Sequence, residues 1–173
     1  MIILGIDPGY AIVGYGVIKY ESGRFTVLDY GAVTTEAGQP FHERLEMIYD
    51  RVSAIMRRFE PQAMAIEKVF YNSNAKTVID VSQARGVLML AAQKNGLGVF
   101  EYTPLQVKQS VVGYGRAEKK QVQEMIKILL NLDTAPKPDD TADALAMAIC
   151  HAHSSGSLIG AKGGAALRIR KGI

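Results

Sequence analysis

The first nine residues constrain the fold of this chain more than any other segment. Four of the five residues in 2–6 are long or branched aliphatics, which predicts a buried strand, and Pro8-Gly9 ends that strand abruptly. Asp7 therefore lies at the end of a hydrophobic strand, where an ionised carboxylate is costly unless it is paired, hydrogen-bonded or bound to metal. Two interpretations follow: Asp7 caps the Pro-Gly turn through its own side chain, or it belongs to a functional site.

The composition indicates an ordinary globular protein. A chain of 173 residues fits one domain, and its 48% hydrophobic and 21% charged residues are typical of a soluble fold. No apolar run approaches the roughly 18–20 residues of a membrane span, and the N-terminus lacks the flanks of a signal peptide. The single Cys150 excludes an internal disulfide framework and a cysteine-cluster zinc site. We expect a cytoplasmic protein without membrane contact.

The positive charge is concentrated at the C-terminal end. The net charge is +3, but residues 154–173 contain four basic side chains and no acid, which leaves 16 basic and 17 acidic residues in 1–153. A nucleic-acid interface therefore requires a local basic patch. We expect residues 1–153 to form a single domain and residues 154–173 to form a flexible, basic Gly/Ser-rich tail.

The pattern of the first half predicts a mixed sheet of the α/β class. In residues 12–19, apolar residues alternate with small or polar ones, which predicts a second strand. A turn at 21–24 leads to a third strand at 25–33, and the three strands make an antiparallel meander. The Gly14-Tyr15-Gly16 pattern superficially resembles a dinucleotide-binding fingerprint, but it lies within a strand and opens no helix. We therefore assign it no such role.

A helix and a second type of strand follow the meander. Residues 41–59 carry apolar side chains at spacings of three and four, and the short apolar run 63–67 fits a buried parallel strand after that crossover helix. Glu67 places a second carboxylate at a strand end, although it could instead pair with Lys68. Residues 98–102 predict a fifth strand, so the sheet has five strands flanked by helices.

The helix predicted over about 75–95 has two apolar stripes. One contains Leu88 and Ala91, and the other contains Ile79, Val87 and Leu90. A helix that is apolar on most of its circumference is buried on more than one side. In a small domain this pattern favours a subunit interface over a sandwiched core helix, so we predict a homodimer through this helix.

Three further helices are predicted, over about 104–111, 117–130 and 139–153. The last begins with three aspartates. Asp139 follows a proline and fits an N-cap, whereas Asp140 and Asp143 are three positions apart and share one helical face.

The strand-end acids and the helical acids together indicate a divalent metal site. Each like-charge contact at about 4 Å costs on the order of 4 kcal/mol at an effective dielectric near 20. Several such contacts require bound cations or raised pKa values. Oxygen ligands without His or Cys suit Mg²⁺ or Mn²⁺, and two such ions support phosphodiester hydrolysis.

Five motifs, in order along the chain, resemble those of the RuvC-type Holliday-junction resolvases. They are GIDPG at 5–9, AIEKVF at 65–70, QARG at 83–86, QVKQSVVGYGRAEKKQV at 106–122 and DDTADALAMAI at 139–149. The resemblance covers nearly all of the chain to about residue 153. It implies an RNase H-like fold, a homodimer, and a four-carboxylate site for two Mg²⁺ ions, with Mn²⁺ as a substitute.

The resemblance also implies residues and a reaction. The catalytic and metal-binding acids fall on Asp7, Glu67, Asp140 and Asp143, with Asp139 as an alternative to Asp140. We expect Asp7 to serve both ions, Glu67 and Asp143 one ion each, and Asp140 to act as a ligand or to orient water. The expected activity is paired symmetric nicking of four-way DNA junctions in recombination and repair, alongside a RuvA–RuvB branch-migration complex.

The DNA-binding predictions rest on a local basic excess and an aromatic loop. Residues 105–127 contain five basic and two acidic side chains, although a solvated helix face is the simpler explanation of such a run. Phe70 and Tyr71 follow the Glu67 strand and are candidates for base stacking, although Phe70 could pack beneath the loop. Arg85 could instead form an ion pair with Asp80 or Glu67. The predicted DNA-binding residues are Lys108, Lys119, Phe70, Arg116, Lys120, Tyr71 and Arg85.

Three other functions are compatible with parts of the sequence. Actin-like ATPases and sugar kinases also begin with a strand, an Asp and a Gly-containing turn, but they need two such domains. A noncatalytic RNase H-like DNA-binding protein is expected to have lost the carboxylates of the site, whereas all four positions carry one in this chain. A related nuclease acting on RNA would share the chemistry and differ in its substrate.

Overall fold

Five strands form one mixed sheet in the computed structural model, which describes residues 1–68 and 78–157. The strand order is β3-β2-β1-β4-β5. The strands are β1 (Ile2–Asp7), β2 (Ile12–Glu21), β3 (Arg24–Thr34), β4 (Ala63–Glu67) and β5 (Gly98–Tyr102). The first three are antiparallel neighbours, as predicted.

The hairpin between β2 and β3 is closed by a two-residue turn. Ser22 and Gly23 both have positive φ, at 50° and 79°. A turn with two positive φ values matches the right-handed twist of the flanking strands. The turn thus sets the register from Glu21 opposite Arg24 to Ile18 opposite Val27, and a one-residue shift between Ile18 and Val17 then leads to the pairing that ends with Ile12 opposite Thr34.

The second half of the sheet is parallel, as its buried apolar runs predict. Helix α1 (Phe41–Phe59) carries the chain from the edge of the meander to β4, which pairs with β1, and β5 pairs in parallel with β4. Helix α1 ends at Glu60, whose left-handed backbone conformation (φ 47°) closes the helix with a hydrogen bond to the Met56 carbonyl. Parallel strands end at the same edge, so β1 and β4 deliver their last residues together.

Helices cover both faces of the sheet. The remaining helices are α2 (Val78–Lys94), α3 (Pro104–Val112), α4 (Lys119–Leu129) and α5 (Asp139–Ser157). Leu4 and Ile6 of β1 pack with α1 and α2, whereas Ile3 packs on the opposite face with α3, α4 and α5. This alternation is the period-two pattern of a strand buried on both sides.

The helix boundaries differ from the predictions at two described ends. Helix α4 begins at Lys119 rather than about 117, because the Gln121 side chain accepts a hydrogen bond from the Glu118 backbone N–H at 2.8 Å and ends the preceding loop there. Helix α5 runs one turn past the predicted end at 153. Its Ser154 hydroxyl donates to the Cys150 carbonyl at 2.8 Å, which lets serine continue the helix. The predicted start of α2, at 75–77, lies outside the described residues.

No helix within residues 1–68 and 78–157 combines the length and apolarity needed to span a bilayer.

Candidate active site

Strand alternation points Asp7 toward α5. Gly5, two positions earlier on β1, lies directly against the α5 backbone at Ala144. Since alternate residues of a strand share a face, Asp7 faces the same helix. Pro8 and Gly9 end the strand at that point, so the carboxylate is held at the rim of the sheet beside α5.

Glu67 reaches the same rim through the parallel pairing of β1 and β4. Ile6 pairs with Ile66, so the two acids are the next residues of adjacent strands. Ala65 belongs to the core on the α5 side, and Glu67 shares its face. Both strand-end acids thus face the first turns of the last helix.

Three glycines let α5 lie unusually close to the sheet. A Cβ atom on Gly5 would overlap the Ala144 carbonyl oxygen, one on Gly14 would overlap the Asp140 carbonyl oxygen, and one on Gly16 would overlap the Leu145 side chain. Gly14 also pairs with Asp7 in the register of β1 and β2. We call Gly5, Gly14 and Gly16 the glycine seat; it brings the backbone of Asp140 against the strand that neighbours Asp7.

The electrostatics of Asp7 show that the acids converge. The pKa of Asp7 is raised from 3.8 to about 7, chiefly by burial and then by the charges of Asp143, Glu67 and Asp140, while Lys119 acts in the opposite sense. A carboxyl group with three carboxylate neighbours is costly to ionise unless a cation is present. The structure therefore brings all four predicted acids into one electrostatic cluster.

The other acids of the cluster respond to the same surroundings. Burial, then the charge of Asp143, raises the pKa of Glu67. Burial also raises the pKa of Asp143, against the opposing effect of Lys119. The Lys119 ammonium lies 3.2 Å from Asp143 Oδ2 and 3.0 Å from Asp139 Oδ2, so it joins these two aspartates.

Asp139 and Asp140 occupy different environments. The Asp139 carboxylate is exposed, and hydrogen bonds from Lys119 and from the Gln123 side chain, at 3.0 Å, hold its pKa below the usual range. Asp140 is half-buried, and its charge acts on both Asp7 and Asp143. Asp139 is absent from the groups that act on Asp7. These environments favour Asp140 over Asp139 as the fourth member of the cluster.

The donor set fits a hard divalent cation. Within residues 1–68 and 78–157, no group of three or more Asp, Glu, His or Cys side chains is arranged to hold a metal ion. Carboxylates that repel one another are expected to stand apart, and a divalent cation removes that repulsion. The cluster offers oxygen atoms only, which are the ligands that Mg²⁺ and Mn²⁺ prefer.

Two of the predicted DNA-binding lysines lie beside the carboxylates. Lys108 of α3 and Lys119 of α4 line one cavity with Glu67 and Asp143. Arg116 and Lys120 are exposed, Arg116 in the loop before α4 and Lys120 in its first turn. Phe70 and Tyr71 lie outside the described residues. Contact of all these side chains with DNA stays a prediction.

Arg85 is engaged within the protein. Its guanidinium pairs with Glu101 of β5, and its Nε donates to the Glu67 backbone carbonyl at 3.2 Å. The suggested ion pair with Asp80 or the Glu67 carboxylate is thus replaced by contacts to Glu101 and to the Glu67 main chain. The side chain is only 16% exposed in the ion pair. Arg85 therefore ties α2 to the strand end that presents Glu67.

Sequence reasoning missed the glycine seat and Gln123. The Gly14-Tyr15-Gly16 pattern was compared above only with a nucleotide-binding fingerprint, which says nothing about how closely α5 approaches β2. Glycines at alternate positions of a strand indicate close approach of another backbone, and that signal could have identified the seat. Gln123 has no pattern that distinguishes it from other exposed glutamines of an amphipathic helix.

The fold and the site define a class of protein. A five-stranded mixed sheet flanked by helices, with acids at the ends of its adjacent parallel strands and on the helix that crosses them, is the arrangement of the RNase H-like fold. The yeast mitochondrial Holliday junction resolvase Ydc2 shares this fold, with a TM-score of 0.64 at 17% identity over 91% of this chain and 81% of that one.

Closer comparisons identify the family. The family model for crossover junction endodeoxyribonuclease RuvC matches residues 3–151. Proteins of that name from Ruminiclostridium cellulolyticum and Alkaliphilus metalliredigens are 59% and 61% identical, covering 92% and 89% of this chain and 98% and 94% of theirs. The chain belongs to the RuvC family, and it is an endodeoxyribonuclease.

Solved RuvC structures support the same assignment. Thermus thermophilus RuvC matches with a TM-score of 0.83 at 36% identity, over 90% of this chain and 96% of that chain. The same protein in complex with a Holliday junction substrate matches with a TM-score of 0.86 over 90% and 94%. Membership of a family of endodeoxyribonucleases argues against the three alternatives considered above, namely an ATPase or sugar kinase, a noncatalytic DNA-binding protein and a nuclease that acts on RNA.

Proposed function

We propose that this protein resolves four-way DNA junctions by metal-dependent hydrolysis, with one nick in each of two strands placed symmetrically across the junction. The observation that carries the proposal is the convergence of Asp7, Glu67, Asp140 and Asp143 on one rim of the sheet, in a chain of this family. The junction complex of the Thermus relative supports the choice of substrate.

The four carboxylates would hold two Mg²⁺ ions, for which Mn²⁺ could substitute. Bound ions supply Lewis-acid activation of the phosphodiester and stabilise charge on the attacking and leaving oxygens. Asp7, whose pKa responds to every other acid of the cluster, is central enough to contact both ions. Glu67 and Asp143, which approach from different elements, would each hold one ion.

The protein's own groups position the reacting water and the DNA. Asp140 orients the attacking water or completes the ligand set. Water attacks phosphorus, the bond to the 3′ oxygen breaks, and the products are a 5′-phosphate and a 3′-hydroxyl that a ligase can join. The Lys108 and Lys119 ammonium groups neutralise charge on the phosphodiester, since both lie beside Glu67 and Asp143.

Symmetric nicking requires two copies of the site. Helix α2 supports a homodimer because its outer face keeps Ile79 and Leu90 at 62% and 50% exposure. These two residues are eleven positions apart and share one helical face with Gly86. A Cβ atom added to Gly86 would have no neighbour within 4 Å, so the space in front of this face is open. An exposed apolar stripe on a regular helix suits a second copy of the same helix.

The proposal extends to a cellular setting, for which the resemblance to this family is the support. Junction resolution belongs to homologous recombination and repair in the cytoplasm, beside a RuvA–RuvB branch-migration complex. Residues 1–153 would act as the nuclease domain, and the basic segment 154–173 would add a nonspecific attraction for DNA.

A synthetic four-way junction tests the proposal directly. With Mg²⁺, the purified protein is expected to produce paired nicks at symmetric positions, and EDTA is expected to abolish them. A linear duplex of the same sequence is the control substrate. Equal cutting of junction and duplex would reduce the protein to a general nuclease.

The variant Asp7→Asn separates chemistry from binding. It removes one charge without removing volume, so junction binding in a mobility shift is expected to persist while cleavage falls at least 1,000-fold. Metal-dependent cleavage at the wild-type rate would exclude Asp7 from the site.

A further inference from the structure

The short turn after Asp7 crosses the rim of the sheet. Asp7 faces α5, whereas Tyr10, three residues later, is half-buried against the core cluster on the side of α1 and α2. Gly9 lies so close to the start of β2 that an added Cβ atom would overlap the Ile12 carbonyl oxygen. Residues 8–11 belong to no helix or strand. Contacts from outside the turn therefore determine how firmly the end of β1 is held.

Arg44 of α1 provides such contacts. Its Nε donates to the Thr35 hydroxyl at 2.8 Å, and its Nη2 donates to the Tyr10 carbonyl at 3.4 Å. The guanidinium carbon also lies 4.6 Å from the centroid of the Tyr10 ring, within the range of a cation–π interaction. The Thr35 hydroxyl donates to the same Tyr10 carbonyl at 2.6 Å. We call Arg44, Thr35 and Tyr10 the arginine clamp; it joins α1, the residue after β3 and the turn after β1.

The charge of Arg44 has no carboxylate partner among the described residues. Arg44 is only 9% exposed, and it takes part in none of the ion pairs of that part of the chain. A buried cation without a counter-ion is costly. An apolar side chain of similar length would leave the Tyr10 carbonyl paired, because the Thr35 hydroxyl still donates to it. Stability alone therefore does not account for an arginine at this position.

We propose that Arg44 is a positioning residue for Asp7: by holding Tyr10 it fixes the turn after β1, and so fixes the Asp7 carboxylate for metal binding. The inference rests on the proposed function and deepens its metal site. Arginine suits this task because a planar guanidinium stacks on a ring and donates hydrogen bonds in fixed directions at the same time. Arg44 is absent from the charges that act on Asp7, so its effect passes through the turn.

Arg44→Met tests the inference, and Arg58→Met is the control. Methionine keeps much of the length of the side chain and removes its charge and its donors. Arg58 lies at the other end of α1, where its guanidinium carbon is 4.9 Å from the centroid of the Phe59 ring. The control therefore removes the same kind of contact from the same helix, at the end that is remote from the turn after Asp7.

Hydrogen exchange in EDTA measures whether the turn is held. The Thr35 backbone N–H donates to the Ala11 carbonyl at 2.9 Å, so its exchange reports opening of the turn without any cleavage assay. We expect Arg44→Met to exchange this proton about tenfold faster than the wild type and Arg58→Met to exchange it at the wild-type rate. Exchange at the wild-type rate in Arg44→Met would overturn the inference.

Metal binding and cleavage measure whether the turn positions Asp7. Arg44→Met is expected to weaken Mg²⁺ binding in calorimetry about tenfold, and to slow single-turnover cleavage of a saturating junction by about tenfold or more. Its dissociation constant for the junction in EDTA is expected to change by less than about twofold, because the clamp is not in contact with DNA in this proposal. Weaker junction binding with the Mg²⁺ affinity of the wild type would identify Arg44 as a phosphate contact and overturn the inference.

Two variants of Tyr10 show whether Arg44 acts through the ring. Tyr10→Leu removes the ring and is expected to reproduce the losses of Arg44→Met, whereas Tyr10→Phe keeps the ring and is expected to behave like the wild type. The double variant Arg44→Met/Tyr10→Leu is expected to lose no more than either single variant. Additive losses would overturn the inference. If Arg44→Met fails to fold, Tyr10→Leu is compared with Tyr10→Phe in the same measurements.

The outcomes separate this inference from the proposed function. Absence of paired nicks by the wild type would reject the proposed function, while the exchange and Mg²⁺-binding measurements still decide the role of Arg44. Paired nicks by the wild type, with Mg²⁺ binding unchanged in Arg44→Met, would reject the positioning role alone.

Discussion

At the scale of single residues, Asp7 bears the strongest electrostatic conflict in the described part of the protein. It is buried at a strand end and lies among three other carboxylates, with only Lys119 acting in the opposite sense. A site of this kind stores unfavourable energy in the absence of a cation. That energy is measurable as a dependence of stability on pH.

The first prediction concerns the pH dependence of stability in EDTA. The folded-state pKa of Asp7 is about 7 against an ordinary value of 3.8, so the folded state binds more protons between these values. Its free energy of unfolding therefore falls as pH rises from about 4 to about 7 and is level above that. Burial raises the pKa values of Glu67 and Asp143 in the same direction.

Asp7→Asn removes this penalty. Urea unfolding in EDTA is expected to show a variant more stable than the wild type at pH 8, by up to about 4 kcal/mol, since one pKa unit corresponds to about 1.4 kcal/mol. The difference is expected to disappear near pH 4. A wild type that gains stability relative to the variant between pH 4 and 7 would contradict the assignment.

The second prediction distinguishes Arg85 from Lys108. Arg85→Ala breaks the contacts to Glu101 and to the Glu67 carbonyl, so it is expected to lower the free energy of unfolding by about 1–3 kcal/mol. Lys108→Ala is expected to leave stability unchanged. In salt titrations of junction binding, Lys108→Ala should reduce the slope by about 0.9, and Arg85→Ala should not alter it. A reduced slope for Arg85→Ala would instead identify a phosphate contact.

At the scale of elements, the glycine seat determines where α5 lies. Two strands and one helix meet there with no side chain between them at Gly5 and Gly14. The first turn of α5 carries Asp140, and the turn that follows it carries Asp143. A small displacement of this helix therefore moves half of the carboxylate cluster.

The third prediction is that Gly14→Ala impairs cleavage more than folding. Its Cβ atom overlaps the Asp140 carbonyl, so the first turn of α5 must shift. We expect a loss of about 1–3 kcal/mol of stability, the usual cost of overpacking, and a loss of cleavage of at least tenfold under conditions where the variant is folded. Unfolding by denaturant and single-turnover cleavage measure the two effects.

Gly31→Ala is the control for Gly14→Ala. Gly31 lies on β3, and the atoms nearest to its added Cβ would be the hydroxyl and ring atoms of Tyr15, at 3.1–3.3 Å. That ring can move by a few tenths of an ångström, so cleavage is expected to persist. Loss of cleavage in both variants would show that general strain in the sheet, rather than the position of α5, is responsible.

Helices and strands were predicted correctly where the spacing of apolar residues and the flanking Gly and Pro residues indicated the same element. Five strands, the crossover helix at 41–59 and the parallel pairing of 63–67 follow from apolar runs bounded by Gly and Pro, and all are confirmed. The extra turn of α5 was not predicted, because the Ser and Gly residues of 154–156 are typical of a loop, whereas in the structure the Ser154 hydroxyl donates to the Cys150 carbonyl within the helix.

The sequence predicted which carboxylates come together, but it did not predict the ion-pair partner of the neighbouring Arg85. Acids at the ends of apolar strands are conspicuous because burial makes them costly, and the structure brings Asp7 and Glu67 to one rim. The partner of Arg85 could not be predicted, since Glu101 lies on a strand that becomes its neighbour only after the sheet is complete.

At the scale of the whole molecule, the exposed face of α2 is the feature that connects one site to another. Core clusters lie on both faces of the sheet, and Ile79 and Leu90 of α2 stay exposed outside them. Since α2 also supplies Arg85, which contacts the main chain of Glu67, the proposed interface is adjacent to the carboxylate cluster.

The fourth prediction tests the dimer. Leu90→Glu and Ile79→Glu place charge on the outer face of α2 and are expected to raise the dissociation constant of the homodimer at least tenfold in sedimentation equilibrium. Ile128→Glu is the control, because Ile128 is 68% exposed on α4, away from this helix. Dissociation by Ile128→Glu, with intact dimers for the α2 variants, would place the interface elsewhere.

The arrangement of β1 and α5 has a consequence for a newly made chain. Asp7 lies on the first strand and Asp143 on the last described helix, so the carboxylate cluster joins the two ends of the folded domain. Contacts between residues this far apart in sequence form only after both segments, and the chain between them, have been synthesised. A ribosome-bound chain that has not yet released α5 therefore lacks half of its acids. The carboxylate cluster can therefore assemble only after α5 has been synthesised and has packed on the sheet.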